Sequence, residues 1–474
     1  MSGRQQKAKG TKSKAYANKE VIGRGAFGVI YKANYVPADE SVILDVPHTV
    51  ALKVMKVTRK TRVGKVLHKR KNEKLDRKKV LEEFSLQQEV HNCRFVVRLF
   101  DIVHLPSEIW GVMEYAEIGS LENFASSLYL MVNVNKIEAL KKPSDRNEAA
   151  KHKSVIDVNA LPLPEVLVRW FLAPVVLAIR HLHAHGIAHL DIKQDNVLLF
   201  NNGMVKLTDF GSSVRIADYE QGKASFYYDG LQHWYGTEGY QPPEAFTVGE
   251  NKTRPGICPI SVKADIWSIG ITALDLFMGR SPWSLKKVDH MRILPFIAPK
   301  DEKGKSPEAV WSLEGLYQHF QLDKSVKENT DKIDGFAKFC LKLYNDRPSA
   351  ERLCRHAYLR DNVEFWNRIN EDYEPDLTRT VDINWIRDVK GRKSGKLEDM
   401  IWKLVEDTKQ TVVSWLGEET TSSEQDDGTI ELRFLDGNNR HDYDPDLMHI
   451  CVISLIEQCI EFKSREKMIK YVAA

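Results

Sequence analysis

Several things are scarce in this chain, and each scarcity excludes something. Cysteine is one: six in 474 residues, Cys93, Cys258, Cys340, Cys354, Cys451 and Cys459. No two of them form a CxxC pair. A zinc ribbon or dithiol redox motif is therefore excluded, and reduced thiols of an intracellular protein are expected. Net charge is also scarce, at +3, which argues against a chain-wide attraction for nucleic acid or a membrane surface. Long apolar runs are missing too. The longest, 167–179, is interrupted by Arg169 and Pro174 and falls short of a bilayer span. Residue 2 is Ser2, so the glycine that N-myristoylation needs is absent. No secretory leader is recognisable, and the expected location is cytoplasmic.

What is present is the composition of a soluble globular protein, 42% hydrophobic and 28% charged. The length suits two or three compact units. The first 19 residues carry six Lys/Arg and no acid, so a disordered basic arm is expected over 1–15. Residues 20–57 read as strands around a glycine-rich turn, with a strand at 49–57. Residues 56–79 hold twelve Lys/Arg against two acids. This run reads as a solvated insertion, with docking of an acidic partner or nuclear import as the sharper alternative. A helix ending near Val90 follows, then strands at 96–104 and 108–115. A polar insertion is expected over 129–163. Beyond Pro164 the pattern is helical, with Leu167, Trp170, Phe171, Val175, Ala178 and Leu182 on one face. A second apolar helix is expected over 266–277. The fold class is therefore α+β, strand-rich first and helical second.

Residues 361–474 differ in balance, with 15 Lys/Arg and 25 Asp/Glu. They read as a C-terminal α/β extension with a regulatory or interaction role. Helices are expected at 397–405 and 447–462, a strand at 430–434, and a loop at 418–428.

The chemistry starts at Gly23-Arg24-Gly25-Ala26-Phe27-Gly28-Val29-Ile30. Glycines at this spacing let backbone N–H groups approach phosphates. The pattern alone also fits dinucleotide folds, but here it lies between strands rather than at a strand-to-helix junction. Twenty-five residues after Gly28 comes Lys53, inside the apolar Val50-Ala51-Leu52 strand. A buried lysine must find an anion; an outward-facing lysine is the plain alternative. Then comes His189-Leu190-Asp191-Ile192-Lys193-Gln194-Asp195-Asn196, and thirteen residues past Asn196 is Asp209-Phe210-Gly211. Phosphoryl transfer needs a carboxylate to take a hydroxyl proton, oxygen ligands for Mg²⁺ and cations over the phosphates. Asp191, Asn196, Asp209, Lys193 and Lys53 offer these.

In this order and spacing the residues resemble the eukaryotic protein kinase family of serine/threonine type. The resemblance spans 20–360 and implies a bilobal kinase domain over 16–360, with ATP and Mg²⁺ as cofactors and protein substrates. It implies that Ile22, Gly23, Arg24, Gly25, Ala26, Phe27 and Gly28 cover ATP and that Lys53 holds its α/β-phosphates. Asp191 would be the catalytic base, with Asn196 and Asp209 as Mg²⁺ ligands. Ile30, Ala51 and Leu198 would enclose the adenine. Met113 would be the gatekeeper, and the backbone of Glu114 and Ala116 would bond the adenine edge. Lys193 and Thr237 would position a Ser/Thr hydroxyl. Glu244 of Pro243-Glu244 would pair with Arg347, and Asp265 would open a buried helix that anchors the catalytic loop. The partner of Lys53 would be a glutamate on the next helix. Glu82, Glu83 and Glu89 are candidates. The helical phase favours Glu83, which puts Leu86 and Val90 on the core face.

One departure stands out. Leu190 occupies the place of the arginine that, in the family, pairs with an activation-loop phosphate. Leucine makes no charge-assisted contact, so independence from loop phosphorylation is expected, although Ser213, Ser225, Tyr227 and Tyr228 remain available. The alternative function is a nucleotide-binding scaffold without catalysis. His181, His183 and His185 alternate near a helix end without the partners a zinc site needs, and Trp170, Phe171, Trp267 and Phe277 read as core.

Overall fold

The computed structural model describes residues 15–25, 28–36, 46–57, 76–128, 163, 165–216, 236–237, 239–242, 261–278, 322–323 and 325–369. It also describes 423–424, 430–431, 449, 452–453, 456 and 460 of the tail. The basic arm up to residue 14, most of the basic run and the 129–162 insertion lie outside the described residues.

The strand-rich part begins earlier than expected, with β1 at Tyr16–Arg24, followed by β2 at Val29–Tyr35 and β3 at Thr49–Lys56. The sheet is completed by β4, Leu99–His104, and β5, Glu108–Met113. These five strands pair in the order β1-β2-β3-β5-β4, every neighbour antiparallel. In the centre, β3 is buried continuously from Val50 to Met55. It therefore reads as an apolar run rather than an alternating one, and Lys53 is carried inside that run.

Helix α1, Arg77–Glu89, starts on Asp76, whose carboxylate accepts the Lys78 N–H at 3.0 Å, a standard N-cap. The last three residues of the basic run thus belong to this helix. Its buried face is Val80, Glu83, Phe84, Leu86 and Gln87.

The helical part is centred on α2, Glu165–Ala184, a 20-residue helix with Pro174 inside it. Its 167–184 stretch is apolar enough and long enough to pass for a membrane span, yet 78% of that window is buried inside the protein. An all-round apolar helix of this kind is a core helix when neighbours cover it. Those neighbours include α3, Lys263–Met278, on which α4, Ile333–Cys340, packs in turn. Short strands β6 (Gly119–Ser120), β8 (Val197–Leu199) and β9 (Val205–Leu207) form a three-stranded sheet. A second small pair joins β7, Ile187–Ala188, to β10, Val214–Arg215. These strands frame the loop that carries Asp191.

The expected boundary at 360 is crossed by structure. Two helices close the main unit: α5, Ala350–Cys354, and α6, Arg360–Arg368, which buries Val363, Phe365 and Trp366. Trp170 of α2 lies 5.0 Å from Phe365 and 4.7 Å from Trp366, ring centre to ring centre. Part of the tail joins the same core. His449, Val452, Ile453, Ile456 and Ile460 are helical, as expected for 447–462. His449 sits 5.5 Å from Trp170 and 5.8 Å from Phe365, and Val452 and Ile456 are fully buried. Ser423–Glu424 pairs with Ile430–Glu431, so a strand occupies part of the expected 418–428 loop. The expected 397–405 helix lies outside the described residues.

Candidate active site

Three charged side chains meet beside the central strand of the five-stranded sheet. The Lys53 ammonium is 2.6 Å from Glu83 Oε1 and 2.6 Å from Asp209 Oδ1. Lys53 and Glu83 are both 9% exposed at the side chain, while Asp209 is 37% exposed. Among the three candidate glutamates, α1 turns Glu83 inward. Glu82 is exposed, and Glu89 pairs with Arg215 on β10. Burial alone would push the lysine pKa down, but Asp209 and Glu83 outweigh it and the pKa is raised. Burial opposes ionisation of Asp209 as well, yet the lysine prevails and its pKa is lowered. Glu83 is driven the other way, upward, mainly by burial. The split has a physical cause: Asp209 gains the lysine charge and the Gly211 N–H as well as the Lys53 hydrogen bond, whereas Glu83 also feels the negative charge of Asp209.

The loop after β7 is held from below. Asp265, fully buried at the start of α3, accepts the N–H groups of His189 (2.9 Å) and Leu190 (2.8 Å). It also contacts His183 Nε2 at 2.8 Å. This anchor supports Leu190 at φ +65°, a conformation leucine rarely adopts. The turn brings Asp191 into contact with its expected partners. Thr237 Oγ1 donates to Asp191 Oδ1 at 2.7 Å, and the Asn196 amide donates to Asp191 Oδ2 at 2.9 Å. Lys193 Nζ donates to Thr237 Oγ1 at 2.6 Å and lies 3.4 Å from Asp191 Oδ2. Gly236 precedes Thr237 at φ +101°, and a Cβ there would fall 2.2 Å from the Leu190 carbonyl oxygen. Only glycine brings the two segments this close.

Over the cleft, Gly25 N–H donates to the Gly28 carbonyl at 3.0 Å. A Cβ on Gly28 would meet the Val54 carbonyl oxygen at 2.4 Å, whereas one on Gly25 would meet nothing within 4 Å. Gly28 thus serves close strand packing and Gly25 leaves room above the cleft. Gly23 is half-buried, Ile22 and Arg24 are exposed, and Ala26 and Phe27 lie outside the described residues. Behind the loop, Ala51, Met113 and Ala116 join one apolar core, with Ile30 and Leu198 packed against it. Register places Ala51 opposite Met113 and Ile30 opposite Lys53. The Glu114 N–H is already taken by the Arg98 carbonyl at 3.0 Å, so the carbonyl is what Glu114 offers a ligand. Its carboxylate accepts from Lys206 at 2.7 Å and from the Arg98 N–H at 3.1 Å.

The oxygen donors suit a hard divalent cation. Among the described residues, Asp209 accepts through Oδ1, from Lys53 and from Gly211 N–H at 3.3 Å. The Asn196 nitrogen is committed to Asp191, which leaves the amide oxygen as the donor. The lysine triad carries one more negative than positive group, and a cation would offset that.

Sequence reasoning missed several groups. Asp275 accepts from Gln194 at 2.9 Å and from the Tyr240 hydroxyl, and burial pushes its pKa to about 6. Glu122 is raised to about 7 by a hydrogen bond with Asp195 and by burial. Gln87 and Lys206 are buried polar residues at helix and strand positions that carry no distinguishing motif. Arg347 is buried and donates to the carbonyls of Lys342 and Lys263 at 2.7 and 3.2 Å; its expected partner Glu244 lies outside the described residues, with Pro243, Ser225, Tyr227 and Tyr228. Ser213 donates to the His189 carbonyl at 3.3 Å. The histidines expected to be structural have other partners: His181 meets Asn92 at 3.0 Å and His185 the His181 carbonyl at 2.9 Å.

A five-stranded sheet above a helical unit, with a lysine gripped by a helix glutamate and the aspartate of Asp209-Phe210-Gly211, defines a bilobal kinase fold. Comparison with known proteins agrees, since the protein kinase domain model matches residues 47–359. The chain therefore belongs to the protein kinase family. The glycine loop precedes the matched range. Mitogen-activated protein kinase kinase kinase 20 of Arabidopsis thaliana is 33% identical over 210 residues, 44% of this chain and 52% of that protein. Misshapen-like kinase 1 of Rattus norvegicus is 26% identical over 349 residues, 72% of this chain and 20% of that protein. Serine/threonine-protein kinase shk1/pak1 of Schizosaccharomyces pombe is 27% identical over 349 residues, covering 73% and 39%. The matches thus span from a fifth to about half the length of these relatives.

Proposed function

We propose that this chain is an active serine/threonine protein kinase that transfers the ATP γ-phosphate to protein hydroxyls. One observation carries the reading: Thr237 is hydrogen-bonded to both Lys193 and Asp191, which themselves form an ion pair at 3.4 Å, in a chain that also keeps Lys53, Asn196 and Asp209. Asp191 accepts the proton of the incoming hydroxyl at its carboxylate. Thr237 and Lys193 hold that hydroxyl, the arrangement that favours serine or threonine over tyrosine. Lys53, fixed by Glu83, orients the nucleotide phosphates. Ala51, Ile30 and Leu198 enclose the adenine, and Met113 bounds the pocket. Mg²⁺ on Asp209 and Asn196 would supply charge neutralisation on the phosphates.

Activation-loop phosphorylation is not required in this reading. Leu190 is buried with Ala188, Ile216 and Ala264, against Val214 and Val262. The start of the activation segment is therefore held by apolar packing, and the Arg215–Glu89 pair ties the same segment to α1. The basic run before α1 is a solvated insertion in this reading, with an acidic protein partner or nuclear entry as its alternative use, and the kinase works in the cytoplasm.

The test is transfer of radiolabelled phosphate from Mg·ATP to a generic Ser/Thr substrate, by wild type and by Asp191→Asn. Transfer should fall by roughly a thousandfold in the variant, with ATP binding kept. Equal, background-level transfer by both proteins would favour the scaffold reading. Phosphatase treatment should leave wild-type activity unchanged; loss of activity would remove the claim of independence.

A further inference from the structure

Gln87 lies one helical turn beyond Glu83, on the same inner face of α1. It is 2% exposed. Its amide nitrogen donates to the Val97 carbonyl at 2.8 Å and contacts the Met113 sulfur at 3.8 Å. The neighbouring core is apolar: Leu86, Val90, Val97 and Met113 all belong to it. Burying an amide there is unfavourable unless it is bonded, and a leucine would fill similar space but leave the buried Val97 carbonyl without this partner. What the amide adds is direction. It fixes the distance between α1 and the segment that leads into β4.

That segment is itself tied to the other side of the cleft. Val97 N–H donates to the Leu207 carbonyl at 2.9 Å, and Leu207 N–H donates to the Phe95 carbonyl at 2.8 Å. Leu207 ends β9, two residues before Asp209. The connection therefore runs from Glu83 along α1 to Gln87, across to Val97, on to Leu207 and then to Asp209. Lys53 closes it, 2.6 Å from both Glu83 and Asp209. A shift of α1 that separates Gln87 from Val97 also moves Glu83 away from Lys53.

We propose that Gln87 is a positioning residue for phosphoryl transfer: its amide sets α1 against β9 so that Glu83 and Asp209 meet on Lys53. The proposal rests on the kinase reading above. It predicts that the amide matters through Glu83 and not through general packing.

The experiment compares the full-length chain with Gln87→Leu, Glu83→Gln and the double variant, measuring kcat and KM for ATP and the thermal midpoint. Gln88→Ala, on the exposed face, is the control and should match wild type. Gln87→Leu should lower kcat roughly five- to tenfold, read well below a thermal midpoint that drops only modestly from the unpaired Val97 carbonyl. On the Glu83→Gln background it should add little, because the two residues act as one unit. An unchanged kcat, or a full additional loss on that background, overturns the proposal. Should Gln87→Leu fail to fold, Gln87→Met is read in its place. If wild type transfers no phosphate, the kinase reading fails separately. Gln87→Leu is then judged by ATP binding, where wild-type affinity counts against the proposal and weakened affinity supports it.

Discussion

Two regions of the cleft hold their neighbours by opposite means. At Lys53, one cation and two carboxylates join β3, α1 and the end of β9. At Leu190, the side-chain contacts are apolar, to Val214, Ile216 and Ala264 at the start of α3, while the backbone beneath is held by Asp265. The charged junction is directional, so it can orient a phosphate, and it is sensitive to the loss of any one member. The apolar junction has no such direction, since its driving force is removal of surface from water. Charge is used where chemistry needs aim, and packing where the segment only has to stay.

Substitutions can break that contrast. Lys53→Met should have the largest effect, lowering phosphate transfer roughly 100- to 1,000-fold in a radiolabel assay. Its fold should survive, because Asp209 is partly exposed and Glu83 already has a raised pKa. Equal losses of activity and stability would mean that the charges build the fold as much as they aim the chemistry. Cutting the chain after residue 369 removes buried Val452 and Ile456 and uncovers Trp170. Urea unfolding should register a loss of about 3–5 kcal/mol. An undiminished midpoint would show that the tail helix does not contribute to this core.

Leu190→Ala should lower stability by about 2–3 kcal/mol, with a smaller loss of activity than Lys53→Met. Leu190→Arg should be worse than alanine, because it puts a guanidinium among the apolar side chains of Ala188, Ile216 and Ala264. The smallest effect is a pH dependence. Glu122 is raised from 4.5 to about 7 in the folded chain, so the native state holds that proton more tightly than the unfolded one. Its contribution is present below pH 4.5 and fades as pH rises through about 7. Glu122→Gln should flatten the stability profile over that window in thermal melts; an unchanged slope would assign the dependence to another group.

Much of the site was legible along the chain. Lys53, Asp191, Asn196 and Asp209 lie in short motifs whose order and spacing are informative before any contact is known. Helical phase also separated Glu83 from Glu82, because Leu86 and Val90 mark the core side. Gln87 was not legible, since a glutamine on a helix reads as surface unless its neighbours are known. The tail helix at 449–460 was visible as a periodic pattern, but its destination against Trp170 and Phe365 was not.

The sequence by itself determined the family, the order of strand-rich and helical parts, and the candidate residues for phosphate, because those rest on local backbone preference and on motifs within a few residues. Tertiary structure alone decided which distant groups share a charge, as Lys53 does with Asp209 across 156 positions. It also decided that Leu190 has an apolar home and that the tail joins the core. Those outcomes depend on which surfaces leave water together, and that is a property of the packed chain rather than of any one stretch of it.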